Sequence, residues 1–205
     1  MQGPVNPGSV DWSGENPGIY LKEREDGGWV ALGVFFRVVA SAYGRGIGML
    51  VLAEPNKPAG YPDALNFCIT DNQPLMAYLV ANFVSKFASF RGSEALRRMT
   101  YHAATSAQTS GDAKTFYEET TAANGLAATL RWESLRAPFA VDVPPSSSAT
   151  GAHQMYSVFL EAERGSISVN GKRAPGQVIQ RDFLGRRMST AFLAFSETWI
   201  TPPAA

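Results

Sequence analysis

Glu118, Arg131 and Glu133 are the residues whose types and spacing point most directly to chemistry. Asn124-Gly125 favours a two-residue hairpin turn, so Ala123 pairs with Leu126. Counting outwards sets Glu118 opposite Arg131, Tyr117 opposite Trp132 and Phe116 opposite Glu133. If Gly111-Asp112 is a second two-residue turn, Thr105 sits across from Glu118 on the other side. One face then holds Tyr101, Ala103, Thr105, Ala107, Phe116, Glu118, Arg131 and Glu133. The other holds His102, Ser106, Tyr117, Glu119, Leu130 and Trp132. A one-residue slip in either turn exchanges the faces. On the first face small residues leave room beside a guanidinium and two carboxylates. Arg131 would anchor an anion, with Glu133, Thr105 and Trp132 lining the site. Glu118 would move a proton, with Tyr101 or His102 assisting. The plainer reading of the same residues is a solvated sheet face carrying a cross-strand ion pair, worth at most about 1 kcal/mol.

Other constellations fall away on count or spacing. The two histidines, His102 and His153, cannot form a three-histidine metal site and show no HxxxH or HxH spacing, so no metal and no cofactor is expected. The single cysteine, Cys68, lies in an apolar run and reads as a small buried residue. There is no GxSxG elbow. Gly44, Gly46 and Gly48 are not followed by a helix and read as a hairpin turn, not a phosphate-binding loop. Lys114 and Lys172 lie near predicted strands without a neighbour that singles out either. The cluster Arg181–Arg187 is the most charged stretch of the C-terminal third. It reads as a solvated loop, with an anion-attracting mouth as the sharper alternative.

The elements that would position these residues are mostly strands. Residues 1–18, with three prolines and four glycines, read as an irregular N-terminal arm, and residues 19–205 as one domain. Ile19–Glu23 begins a strand. Trp29–Ala42 is apolar in both alternating sets, as a strand covered on both faces requires. Ile47–Ala53 pairs with it, residues 54–63 form a loop, and Ala64–Thr70 is a further strand. Asp71 or Asn72 can cap a helix over 74–90, with Pro74 in its first turn and apolar residues at helical spacing from Leu75 to Phe87. Residues 99–143 read as a three-stranded meander. Met155–Glu163, Ser166–Val169, a segment near Gln177–Asp182 and Ser189–Thr201 complete the strands. In the last, Phe192, Ala194 and Ile200 fall on one face, and Ala191, Leu193, Phe195 and Trp199 on the other. The fold class that follows is α+β: a strongly curved antiparallel sheet or barrel of about eight to nine strands packed on one long helix over residues 74–90.

Eighteen basic residues balance eighteen acidic ones, which argues against nucleic acid or an anionic membrane as partner. Aromatic and basic residues do not alternate along any strand, so single-strand binding has no signature either. No basic stretch followed by an apolar run opens the chain, and a cytoplasmic address follows by default. Gly27-Gly28-Trp29, entering a strand, resembles the G-x-W motif at the first strand of lipocalins. That similarity spans three residues, and the chain departs from the family by placing its helix mid-chain. A helix embraced by antiparallel strands is similar to the hot-dog architecture at the level of fold alone, which carries no function. The expected function is therefore drawn from the residues. It is a small-molecule-binding protein for a hydrophobic, carboxylic or keto compound, or a cofactor-independent acid–base enzyme acting on one. The alternative is a non-catalytic protein assembling as a homo-oligomer.

Overall fold

Thirteen residues, Trp29–Ser41, form the strand around which the molecule is layered. Leu32, Val34, Phe36 and Val38 enter one core, and Ala31 and Phe35 enter another on the opposite side. The two-sided apolar pattern thus means what it implied: both faces are covered. The computed structural model describes residues 5–55 and 65–203. The expected loop over 54–63 and the start of the strand at Ala64 fall largely outside the described residues.

In chain order the elements are β1 (Ser9–Glu15), β2 (Gly18–Lys22), β3 (Trp29–Ser41), β4 (Gly46–Ala53), β5 (Asn66–Thr70) and α1 (Gln73–Asn82). Next come β6 (Thr100–Ala103), β7 (Ser106–Gly111), β8 (Phe116–Ala123), β9 (Leu126–Leu135) and β10 (Phe139–Val143). The last are β11 (Gln154–Val169), β12 (Lys172–Arg173), β13 (Gln180–Phe183), β14 (Arg186–Ser189) and β15 (Ala191–Thr201). Thirteen of the described strands join one hydrogen-bonded sheet, whose main path runs β6-β5-β4-β3-β1-β15-β11-β9-β8-β7. All pairings are antiparallel except β5 with β6. The hairpin of β13 and β14 stands apart.

The sixteen-residue β11 makes two layers out of one sheet. Its first half pairs with β15 and β10, its second with β9 and β12. The far end of the sheet thereby returns over β2, β3 and β15. Leu130, Trp132 and Ile167 then pack on Ile19, Phe35 and Met49. Gly33 permits this closeness, since a Cβ there would meet Leu130 at 2.6 Å. Burying each such large side chain contributes roughly 1.5–3 kcal/mol.

The other face of the sheet is covered by α1 and the turns after it, and here the expected fold class needs correcting. The cap and start are as expected: Asn72 accepts from the Leu75 N–H. The helix, however, ends at Asn82 after ten residues, and a short 3-10 turn at Val84–Lys86 follows. Phe83, Val84 and Phe90 still enter the core. Apolar residues at spacings of three and four are satisfied equally by a chain that turns tightly over a sheet, so the periodicity overstated the helix. The protein is a mostly β structure with one short helix, not an α+β sheet packed on a long one. The strand path has two distinct ends, β6 and β7, and its strands outnumber the eight or nine expected.

Two further expectations are revised. Residues 9–15, read as part of an irregular arm, form β1 between β3 and β15, near the middle of the sheet. Its sequence, SVDWSGE, has no β-branched run; ladder hydrogen bonds and the buried Trp12 hold it. The 99–143 region carries five strands, not three, and the reversal after Gly111 is wider than two residues. The Asp112 carboxylate accepts from the N–H groups of Lys114 and Thr115, which rounds the turn. Gly111 consequently faces Tyr117, and Ser110, not Thr105, lies opposite Glu118.

Among the described residues no helix is long and apolar enough to cross a membrane.

Candidate functional site, a cavity under the β13–β14 hairpin

A β-bulge sets the chemistry of this site. Along β15, Phe192 and Ala194 face the helix-side core and Leu193 faces the opposite one. Strict alternation would send Glu197 and Trp199 to the opposite side with Leu193. Instead the register against β11 shifts between Tyr156 and Val158, and Ser196 adopts a left-handed φ of 52°. The extra residue reverses the alternation. Glu197 and Trp199 therefore join Phe192, where they line a cavity of about 300 Å³. The sequence-based assignment of Trp199 to the face of Leu193 is corrected by this one residue.

The cavity walls are largely aromatic. Tyr20 comes from β2, Phe159 from β11, Phe192 and Trp199 from β15, and Phe87 from the turns after α1. Tyr20 and Phe192 meet edge to face at 5.4 Å, and Phe159 and Phe192 lie 5.7 Å apart. The β13–β14 hairpin roofs the space with Arg181, Asp182, Phe183 and Leu184. Arg186 on the hairpin bonds Glu161 at 3.1 Å, and Arg187 reaches Glu25 at 3.2 Å.

Glu197 is 3% exposed. Its Oε1 accepts from Trp199 Nε1 at 2.7 Å and from Asn16 Nδ2 at 3.2 Å. Burial pushes its carboxyl up to about 7, although both donors favour the ionised form. Arg181 is the second unusual group. Its guanidinium stacks over Tyr20, Phe183 and Phe192 at 5.1, 5.4 and 5.5 Å from the ring centres. Its Nε is sealed from solvent and has no hydrogen-bond partner. Desolvation lowers its pKa, and Tyr20 opposes that shift. Tyr20 is itself held far above the ordinary phenol range by burial, with Arg181 opposing and Glu197 adding to the rise. The exposed Lys86 and Arg91 add cationic charge at the rim.

None of the seven residues singled out from the sequence lines this cavity. The register inferred from Asn124-Gly125 is observed: Glu118 faces Arg131, Tyr117 faces Trp132, and Phe116 faces Glu133. The outward face, however, is the charged one. Arg131 bonds Glu118 at 3.1 Å and Glu133 at 3.2 Å and lies over Phe116, with all three charged side chains partly solvated. Arg164 adds a longer contact to Glu133 at 3.6 Å. Trp132 belongs to the buried face and donates to the Gly18 carbonyl at 2.9 Å. Tyr101 and His102 lie on β6 beside β5, away from the ladder in pairing, and the Thr105 N–H bonds Ala122. Burial raises the Tyr101 phenol to about 12. The candidate constellation is thus divided between two faces and two strand systems.

A second charged cluster lies between the layers. Glu119 is fully buried and accepts from Arg37 at 2.9 Å, from Thr109 and from the Tyr117 hydroxyl at 3.0 Å. Arg37 also pairs with Glu15. These bonds tie β1 and β3 to β7 and β8, and their mutual satisfaction marks them as structural. No group of three or more metal-ligating side chains occurs among the described residues.

Of the cavity residues, sequence reasoning weighed as a site only those in the Arg181–Arg187 cluster, as the sharper alternative to a solvated loop. Glu197 was overlooked although a signal existed: it is the only charged residue in a strand apolar on both faces. No protein-family model matches this chain, and no curated protein matches it significantly.

Proposed function

We propose that this protein binds a small apolar carboxylate in the cavity under the β13–β14 hairpin. Arg181 takes the anion and the aromatic walls take the body of the molecule. The observation that carries this reading is Arg181 itself, a guanidinium pressed onto three rings for which no described residue supplies an acceptor. Arg181 is partly exposed, so only part of the desolvation cost of a buried cation falls on it. A ligand carboxylate offsets that cost through short, charge-assisted hydrogen bonds. Lys86 and Arg91 at the rim favour approach of an anion. A cavity near 300 Å³ suits a ligand at the small end of the usual range.

The catalytic form of the same reading is cofactor-independent acid–base chemistry on a carboxylic or keto compound. Glu197, with a carboxyl near 7, is the proton-transfer group in place of Glu118. Its protonated form also spares an anionic ligand the repulsion of a second charge.

Titration calorimetry with phenylacetate and hexanoate tests the binding reading. Hydrogen bonds to charged groups are worth about 1.5–3 kcal/mol, so Arg181→Met should weaken binding by roughly 10–100-fold. Methionine keeps an apolar stem against the rings. Unchanged affinity in the variant, or no binding of either carboxylate to the native protein, overturns the proposal.

A further inference from the structure

The polar inventory of the cavity is asymmetric in a way that specifies its ligand more narrowly. Both donors to Glu197, Asn16 Nδ2 and Trp199 Nε1, land on the same oxygen, Oε1. Oε2 receives no donor from the described residues. Asn16 is 4% exposed, and its amide is oriented by the bond from Nδ2 to Glu197. Its Oδ1 is left buried with no partner. An unpaired buried acceptor costs about 1–3 kcal/mol, and native proteins seldom leave one without reason. Asn16 Oδ1, like Trp12 Nε1 and Thr121 Oγ1, is sealed and leaves no room for a ligand atom, whereas Glu197 Oε2 is not sealed and belongs to a residue that lines the same cavity as Arg181.

We propose that Glu197, held by Asn16 and Trp199, forms a hydroxyl-reading subsite, so that the ligand of this cavity is a hydroxylated apolar carboxylate, its carboxylate on Arg181 and its hydroxyl hydrogen-bonded to Glu197 Oε2. The inference rests on the carboxylate-binding reading given above. A hydroxyl satisfies what an unsubstituted carboxylate leaves open. A site built to bond a hydroxyl discriminates against the analogue that lacks it, because its own buried polar atoms then stay unpaired. The aromatic walls favour a flat ligand body, and a phenolic acid combines all three features.

The test compares phenylacetate with its three monohydroxylated ring isomers by titration calorimetry against the native protein, Glu197→Gln and Arg181→Met. At least one hydroxylated isomer should bind the native protein about tenfold or more tightly than phenylacetate. Glu197→Gln should reduce that preference while retaining phenylacetate binding, and Arg181→Met should weaken both ligands. If phenylacetate and all three isomers bind the native protein equally, the hydroxyl subsite is wrong while the carboxylate reading stands. If hexanoate, phenylacetate and the isomers all fail to bind, the carboxylate reading fails and this inference with it. The comparison on native protein decides the matter even if a variant does not fold.

Discussion

Trp199 Nε1 donates to Glu197 Oε1 at 2.7 Å, two positions back along the same strand. The bond holds the carboxyl in place against an aromatic wall without neutralising it, and no cation among the described residues pairs with it. Burial therefore dominates, and the carboxyl sits near 7.

Stability should carry the mark of that burial. A carboxyl raised in the folded state stabilises fully below its unfolded value near 4.3 and loses that contribution as pH rises through about 7. The window is thus roughly pH 4–7, and the loss is on the order of 3 kcal/mol at 1.36 kcal/mol per unit. Tyr20, Arg181, Lys86, Arg91 and Asp182 are the other charged or titratable groups of the cavity lining. Urea unfolding of native protein and Glu197→Gln at pH 5 and pH 8 checks it. The variant should gain on the native protein by about 2–3 kcal/mol between the two pH values. A constant difference between them would refute the assignment.

The interlayer pair makes the opposite kind of prediction. Glu119 is fully buried, and Arg37 neutralises it together with Glu15. Arg37→Met leaves two carboxylates facing each other and should cost on the order of 2–3 kcal/mol, less than a wholly buried pair because Arg37 is partly solvated. Adding Glu119→Gln should recover part of the loss, since one uncompensated charge is then gone. Chemical denaturation at pH 7 measures both. A double variant less stable than Arg37→Met alone would show that the network is not held by charge.

What was legible in the sequence follows from which signals are local. The Asn124-Gly125 turn fixed a register for eight residue pairs, because a two-residue turn with glycine at a positive φ, here 73° at Gly125, admits few alternatives. Trp29–Ala42 announced its two covered faces because every position is read by the same period. The length of the helix was misread because apolar spacing does not distinguish a helix from successive tight turns beneath Phe83 and Phe90. The site was missed for a different reason. Its face depends on the left-handed φ at Ser196, a serine that carries no special backbone signature in sequence. The solvent-facing ladder looked more like a site than the cavity did, because charges are conspicuous in sequence and burial is not.

The ladder should accordingly be dispensable. Arg131→Ala and Glu118→Gln break partly solvated pairs, for which about 1 kcal/mol or less is expected. Neither residue lines the cavity, so carboxylate affinity should stay within about twofold, or roughly 0.4 kcal/mol. Thermal melts and titration calorimetry on both variants check this. A tenfold fall in affinity for either would return the site to the β8–β9 face.

The bulge at Ser196 is the sharpest structural handle on the cavity. Its left-handed φ is open to glycine and costly for a β-branched residue. Ser196→Gly should keep stability within about 0.5 kcal/mol, whereas Ser196→Val should lose about 1–2 kcal/mol. Deleting Ser196 removes the extra residue, and regular alternation from Phe192 and Ala194 then puts Glu197 and Trp199 on the cavity side without a bulge. The deletion should therefore keep Glu197 and Trp199 in the cavity and keep phenylacetate binding. Melting temperatures for the three variants, with phenylacetate binding wherever the protein folds, give the answer. Equal stability of the valine and glycine variants would mean that residue 196 is not held left-handed in solution. A deletion variant that folded but no longer bound phenylacetate would mean that the phase of Glu197 and Trp199 along the strand is not what builds the cavity.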